Sequence, residues 1–167
     1  MSAHKIREIQ KTDATWIFEA CQDEQIKYWT TIPRPYLIEH AHAFVNGDFP
    51  EYKIWAIENE ESKPVGVISI HGIDESGAAD LGYFVAKWGR GKGAAKDAIT
   101  QVESYAKTDP SIKSIAACIS DLNTFSQRAA EAAGLKKSDV ATRTCRAGDL
   151  ETSACMYRKT LSCLESS

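Results

Sequence analysis

The sequence has no apolar run near the roughly 20 residues that cross a bilayer, so no membrane partner is expected. Its opening, "MSAHKIREIQ", lacks the apolar core of an export leader, and the expected location is the cytoplasm. Cysteine is sparse: Cys21, Cys118, Cys145, Cys155 and Cys163 are odd in number, and none stands in a CxxC spacing. Neither a disulfide framework nor a zinc site is suggested, and reduced thiols are expected. A basic surplus is missing too. Lys and Arg total 20 against 23 Asp and Glu, the net charge is −3, and the cations are dispersed. This argues against nucleic acid as the main partner, which calls for a clustered positive face. Repeats and low-complexity segments are absent, and 167 residues at 43% apolar content predict one domain over residues 1–167 with a sizeable core.

What is present is a mixture of two periodicities. Lys5 to Ile9 reads as a short strand, and Thr12 is placed to cap a helix through "DATWIFEACQ". In "PYLIEHAHAFVNG", Leu37, His40, Ala41, Phe44 and Val45 share a helical face that ends at Asn46-Gly47. His40 and His42 are two apart and diverge on a helix, a poor metal pair; His40 reads as a packed or capping residue. The β-rich stretches "YKIWAIE", "PVGVISIHGI" and "ADLGYFVA" follow, separated by "NEESK" and "DESGA". Spacers this short predict an antiparallel meander, because parallel neighbours need a crossover. Ala95, Ala98, Ile99, Val102, Tyr105 and Ala106 then keep a 3.6-residue period up to "TDPS". The remainder reads as a strand, "IKSIAACIS", a helix, "NTFSQRAAEAAG", stopped by Gly134, and two strands around "LKKSDVATR" and "ACMYRKTL".

Between the meander and the long helix lies "WGRGKGAAKDAI", residues 88–99, with three glycines at alternate positions. Glycines this dense bare the backbone amides, and a helix start adds unpaired N–H groups and a positive dipole end. Such a segment binds phosphate. A nucleoside-triphosphate loop requires Ser or Thr after its lysine, whereas Lys92 is followed by Gly93. Gly89 to Ala94 formally satisfies the dinucleotide fingerprint G-x-G-x-x-A, with Asp121 closing the next strand. Against that reading, "AKW" separates strand from glycine, and the chain has no room for the further βα units of a doubly wound sheet.

The third alignment, Arg90-Gly91-Lys92-Gly93-Ala94-Ala95, fits (Q/R)-x-x-G-x-(G/A). With it, the chain resembles the GNAT superfamily of acyl-CoA-dependent N-acetyltransferases along its whole length. In "LNTFSQRAAEAAGLKK", Asn123, Ser126 and Gly134 are similar to the N-x-x-S and Gly-apolar pattern of the ribosomal-protein-alanine N-acetyltransferase branch. The segments "FEACQDEQIKYWTTIPRPYLIEHAHAFV" and "LGYFV" share that likeness. The resemblance implies an α/β fold with a mixed, mostly antiparallel central sheet of about six to seven strands and about four flanking helices. It implies acetyl-CoA as co-substrate, no metal, and a primary amine as acceptor, a protein N-terminus among the candidates. A homodimer is an admitted assembly.

Coenzyme A carries a pyrophosphate, which Arg90 through Ala95 can meet with converging amides, Arg90 and Lys92 adding charge. Its amide-rich arm is suited to pair with exposed strand backbone, and Phe84, Val85 and Ala86 end a strand at the right place. The resemblance implies that this strand splays from the next and that a backbone N–H there polarises the thioester. It also places Ser126 beside the coenzyme sulfur as proton donor, and Asn123 on the pantetheine arm; the plain alternatives are a first-turn serine and a helix cap. Asp80 stands where relatives commonly carry Glu and is the candidate base, acting through water; otherwise it is an exposed strand-end carboxylate. Lys87 replaces a frequent proline. Competing functions are acetylation of a small cationic metabolite or antibiotic, acyl-CoA sensing without turnover, and dinucleotide-dependent redox chemistry.

Overall fold

The computed structural model describes residues 3–138, 143–148 and 150–162. The chain runs β1 (Lys5–Glu8), a 3₁₀ turn (Lys11–Asp13), α1 (Ala14–Ala20), α2 (Glu24–Trp29), α3 (Ile38–Val45), β2 (Lys53–Glu58), β3 (Pro64–Ile73) and β4 (Ala78–Val85). A second 3₁₀ turn (Lys87–Gly89) leads to α4 (Ala94–Ala106), β5 (Ser114–Ser120), α5 (Thr124–Ala132), β6 (Lys136–Lys137), β7 (Arg143–Ala147) and β8 (Leu150–Thr160). The strands form one sheet in the order β1-β2-β3-β4-β5-β8-β6, with β7 also on β8.

The expected meander is present, since β2, β3 and β4 pair antiparallel through short turns. Among the described residues only β4 and β5 are parallel, and α4 supplies the crossover that parallel neighbours require. Five helices and eight strands among the described residues compare with the expected four and six to seven. The additional helix, α2, has only six residues and buries only Ile26, so it shows no apolar period. Its start is fixed by Asp23, whose side chain accepts the Gln25 N–H at 3.1 Å. The segment around "LKKSDVATR" contributes β6 and the start of β7, while residues 139–142 lie outside the described ones.

Both faces of the sheet are covered. Ala98, Ile99, Val102 and Ala106 of α4 pack with Ile68, Ile70, Leu81 and Ile115 on one side. Ala14, Ile17, Ala41 and Val45 of α1 and α3 pack with Val67 and Ala86 on the other. The period-2 alternation of strand side chains thus sends successive β4 residues into different environments. Tyr83 packs on the α4 side and Phe84 on the α1 and α3 side. His40 caps α3, its Nδ1 accepting the Leu37 N–H at 2.9 Å.

The first helix is organised by Asp13 rather than by Thr12. Asp13 is 2% exposed and accepts Arg7 at 2.8 and 2.9 Å, the Gln10 N–H at 2.7 Å and the Trp16 indole at 2.7 Å. Arg7 also donates to Glu58 at 2.7 Å, which joins β1, β2 and the entry to α1. Burial alone would raise the Asp13 pKa, but the Arg7, Trp16 and Gln10 hydrogen bonds hold it below the ordinary 3.8. A carboxylate depressed in the folded state stabilises above its unfolded pKa, and that contribution is lost as pH falls through the folded value. Asp13→Ala, which leaves the Gln10 N–H and the Trp16 indole without their acceptor and Arg7 with Glu58, is expected to cost about 1–3 kcal/mol in urea unfolding at pH 7. The gap from wild type should narrow as the pH falls below 3.8 and through the folded-state pKa of Asp13.

Candidate active site

The phosphate-loop candidate is seated from below. A Cβ on Gly89 would lie 2.5 Å from Val65 Cβ, so only glycine lets the turn press against β3. The Trp88 indole donates to the Pro64 carbonyl at 3.0 Å. Gly91 and Gly93 have φ of 81° and 80°, a region that costs other residues about 1–2 kcal/mol. No atom would lie within 4 Å of a Cβ at either, so the outer side of the loop is open. Gly93 caps α4 and its carbonyl accepts the Asp97 N–H at 3.0 Å. The amides of Ala94, Ala95 and Lys96 therefore leave the helix end without intrahelical partners. Ala94 and Ala95 are buried at their methyls, while Lys92 is exposed.

The cations of this loop differ in use. Arg90 Nη2 lies 2.5 Å from Asp23 Oδ2, so its charge is tied to the junction of α1 and α2. A carboxylate in the first turn of α4 would oppose an anion at the loop, but Asp97 turns to His4 Nδ1 at 2.7 Å and Lys96 at 3.9 Å. No group of three or more His, Cys, Asp or Glu side chains is placed to hold a metal among the described residues.

Beside the loop the sheet opens. β4 and β5 pair only through Ala78, Ala79 and Asp80 with Ser114, Ile115 and Ala116. From Leu81 to Val85, β4 keeps β3 on one side and leaves β5. The Ala86 N–H bonds the Val65 carbonyl at 2.8 Å. By the alternation of antiparallel pairs, Gly82 and Phe84 then direct their backbone groups to β3, and Tyr83 and Val85 direct theirs into the gap. Of the sequence candidates Phe84, Val85 and Ala86, it is Val85 whose amide faces the opening.

Ser126 lies in the first turn of α5, which Asn123 caps by accepting the Ser126 N–H at 3.1 Å. Ser126 Oγ donates to Tyr83 Oη at 2.8 Å, and Tyr83 Oη donates to the Ser126 carbonyl at 3.1 Å. Burial pushes the Tyr83 phenol up to about 12, more than the Ser126 hydrogen bond lowers it, so it remains a donor at neutral pH. Tyr83 was visible only as one residue of "LGYFV". Strand alternation aims it at the α4 side, but nothing local indicates a partner 43 residues away. Asp80, on the opposite side of β4, ends the parallel pairing and has a 56% exposed side chain, with His71 Nδ1 3.9 Å from its Oδ2. The structure thus joins Ser126 to Tyr83 and Asp80 to His71, and separates the two pairs by one strand.

A sheet opened between two parallel strands, at a helix start fit for a pyrophosphate, defines a coenzyme-dependent acyl-transfer scaffold. The chain belongs to the acetyltransferase (GNAT) domain family, whose profile matches residues 5–136; it is an N-acetyltransferase with acetyl-CoA as co-substrate. Similar solved structures include RimL, a ribosomal L7/L12 alpha-N-protein acetyltransferase in complex with coenzyme A, at 14% identity, 96% coverage of both chains and a TM-score of 0.82. Spermidine N-acetyltransferase from Vibrio cholerae, in complex with CoA and spermine, matches at 15% identity, 98% coverage of both and 0.81. Ribosomal-protein-S5-alanine acetyltransferase from Vibrio fischeri matches at 15%, covering 97% of this chain and 95% of that one, with 0.78. A search of curated protein sequences finds no significant match.

Acetyl-CoA at one hundred times its dissociation constant should stabilise the wild type by about 2.7 kcal/mol through mass action. Gly93→Val, at φ 80°, should cost about 1–2 kcal/mol by itself and abolish the coenzyme-induced rise in Tm. Thermal scans with and without acetyl-CoA read both effects.

Proposed function

We propose that this enzyme acetylates the α-amine of a protein or peptide N-terminus by direct attack of the amine on acetyl-CoA in a ternary complex. The observation that carries the mechanism is the Ser126–Tyr83 pair at the edge of the β4–β5 opening. In this reading the amides of the α4 start hold the pyrophosphate, and the coenzyme arm lies along the unpaired edge of β4. The Val85 N–H polarises the thioester carbonyl; donors of this kind are worth about 10²–10³ in rate. The amine nitrogen bonds to the carbonyl carbon and gives up a proton, the C–S bond breaks, and the thiolate takes the Ser126 Oγ proton, which turns from Tyr83 Oη to reach it and is replaced from solvent. A serine hydroxyl is a weak acid, so Ser126 serves as hydrogen-bond donor and relay, and the high-pKa phenol of Tyr83 holds its orientation. Asp80 faces the acceptor side, where the amine loses its proton.

Direct transfer agrees with the state of the thiols. Burial pushes the Cys21 thiol up to about 12 and raises Cys155 as well, so neither is a ready nucleophile. The N-terminal acceptor is supported by the Asn123-x-x-Ser126 motif and by the likeness to RimL and the S5-alanine enzyme. Thiol-release assays with acetyl-CoA against peptides, polyamines, amino acids and aminoglycosides test it. Peptides with a free α-amine should give the highest kcat/KM; preference for spermidine or an aminoglycoside would replace this acceptor with a small cation.

Ser126→Ala should lower kcat by about tenfold to a few hundredfold while leaving acetyl-CoA affinity near wild type, because its hydrogen bond strengthens as charge grows on sulfur. Unchanged kcat at saturating acceptor would reduce Ser126 to a first-turn helix residue. Initial rates with both substrates varied should give intersecting lines, and intact-mass spectra with acetyl-CoA alone should show no acetyl adduct. Parallel lines with an adduct on a cysteine would replace direct transfer by a covalent route.

A further inference from the structure

His71 is a titratable side chain with a defined setting that the transfer chemistry above leaves unused. It sits at a bulge: Ile70 pairs with Leu81 and Ile73 with Ala79, so His71 and Gly72 together oppose Asp80. Bulges re-aim a side chain, and here the ring is tipped across β4 onto Gly82. A Cβ at Gly82 would lie 2.3 Å from His71 Cε1 and 2.7 Å from Nε2. The absence of a side chain at Gly82 is therefore what lets the imidazole lie over the strand. Tyr52 stacks on the ring with centroids 4.5 Å apart and planes at 23°, and Phe49 stacks on Tyr52 at 5.1 Å. The ring is held, and its side chain is still 37% exposed.

The place matters because Gly82 precedes Tyr83, whose amide turns into the β4–β5 opening. Asp80, Gly82 and Phe84 share the face of β4 opposite to Tyr83. A base lying over Gly82 is thus across one strand from the Ser126–Tyr83 pair. This is the separation a transfer needs, with the amine losing its proton on one side of the thioester and the thiolate gaining one on the other.

We propose that His71 is the catalytic base of this transferase, taking the proton of the attacking amine, with Asp80 as its positioning residue; this deepens the reading of the site given above. The amine's proton passes to an imidazole nitrogen, its electron pair forms the new bond to carbon, and Asp80, 3.9 Å from Nδ1, offsets the charge on the ring. That distance suits an ion pair or a bridging water. Asp80 itself is the more exposed of the two.

Burial lowers the His71 pKa below 6.5, and Asp80 raises it by less, so the ring is neutral and able to accept at pH 7. The titratable groups set against it are Tyr52 from the segment before β2 and Asp80 from β4. Lys53 of β2 is directed to the Trp55 and Tyr105 rings instead, at 5.8 and 5.1 Å. Asp74, in the turn after β3, is occupied by Ser76 and Ala78 and by the field of Arg158.

The test is the pH dependence of kcat for wild type, His71→Gln and Asp80→Asn, on whichever amine of the panel the wild type turns over. The wild-type acid limb should lie below pH 6.5. In His71→Gln it should move up toward the acceptor's own pKa, near 8 for an α-amine. The loss should be about tenfold to a hundredfold at pH 7 and shrink above pH 9. Asp80→Asn should lose severalfold and move the limb to lower pH, because the raising charge is gone. A His71→Gln profile with the wild-type limb, or a loss uniform across pH, overturns the proposal, as does a limb abolished by Asp80→Asn alone, which would make Asp80 the base. Acetylation of a different amine fails the acceptor reading and leaves this comparison intact. Independently of any acceptor or variant, NMR of the wild-type imidazoles with bound CoA should show His71 mainly neutral at pH 7; a His71 that is mainly imidazolium at pH 7 overturns the assignment.

Discussion

The site depends on one interruption of hydrogen bonding, the end of β4–β5 pairing at Asp80. β5 is committed to β8 along its whole length, from Ser114 with Thr160 to Ser120 with Ala154. β4 is committed to β3 up to Val85 with Gly66. Two strands bound so firmly to outer neighbours diverge with the sheet's twist once their three shared pairs are formed. Backbone groups on the inner edge of β4 are then left for something other than protein, and an amide-rich extended ligand can satisfy them. The same parallel step forces a crossover, so α4 must start near the top of the opening. The open amides of the α4 start and the strand edge thus follow from one topological choice.

Electrostatics keep that arrangement usable in a chain of net charge −3. α4 carries Asp97 and Glu103, whose charges would weaken an anion site at its start. Each is matched from another element. Asp97 meets His4 before β1, and Glu103 meets Lys159 of β8 at 2.8 Å and Lys107 at 3.2 Å. Burial alone would raise the Glu103 pKa, but those two lysines hold it below the carboxylate range. The pairs also fasten α4 to β1 and β8 at two levels, with Gln101 between them bonding His4 and Ile6 backbone at 2.7 and 3.0 Å. The helix that presents the amides is therefore fixed in place by contacts to β8 and to the residues before and within β1.

What the sequence revealed was local. The glycine loop, the meander and the helix after the loop each follow from spacing within a dozen residues, and Ser126 was reached through a short motif around Asn123. What it concealed depends on register or distance. Tyr83 acquires meaning only when α5 brings Ser126 over β4. His71 looked like one more residue of an apolar strand, because a bulge two residues wide leaves no trace in "VISIHGI". Arg90 was read as a phosphate ligand from its place in the loop, and its pairing with Asp23 spans 67 positions. α2 escaped notice because a six-residue helix that buries one side chain has no period to detect.

The Arg90–Asp23 contact bears on how the two substrates meet. Asp23 caps α2 through the Gln25 N–H and pairs with Arg90 through its other oxygen. Gly148, in the turn between β7 and β8, donates its N–H to the Tyr28 carbonyl of α2 at 2.7 Å. α2 therefore spans from the glycine loop to the last hairpin. Movement of Arg90 toward a bound pyrophosphate would release one end of that span while the hairpin holds the other. One ion pair thus couples the glycine loop to α2 and, through the Tyr28 carbonyl, to the last hairpin.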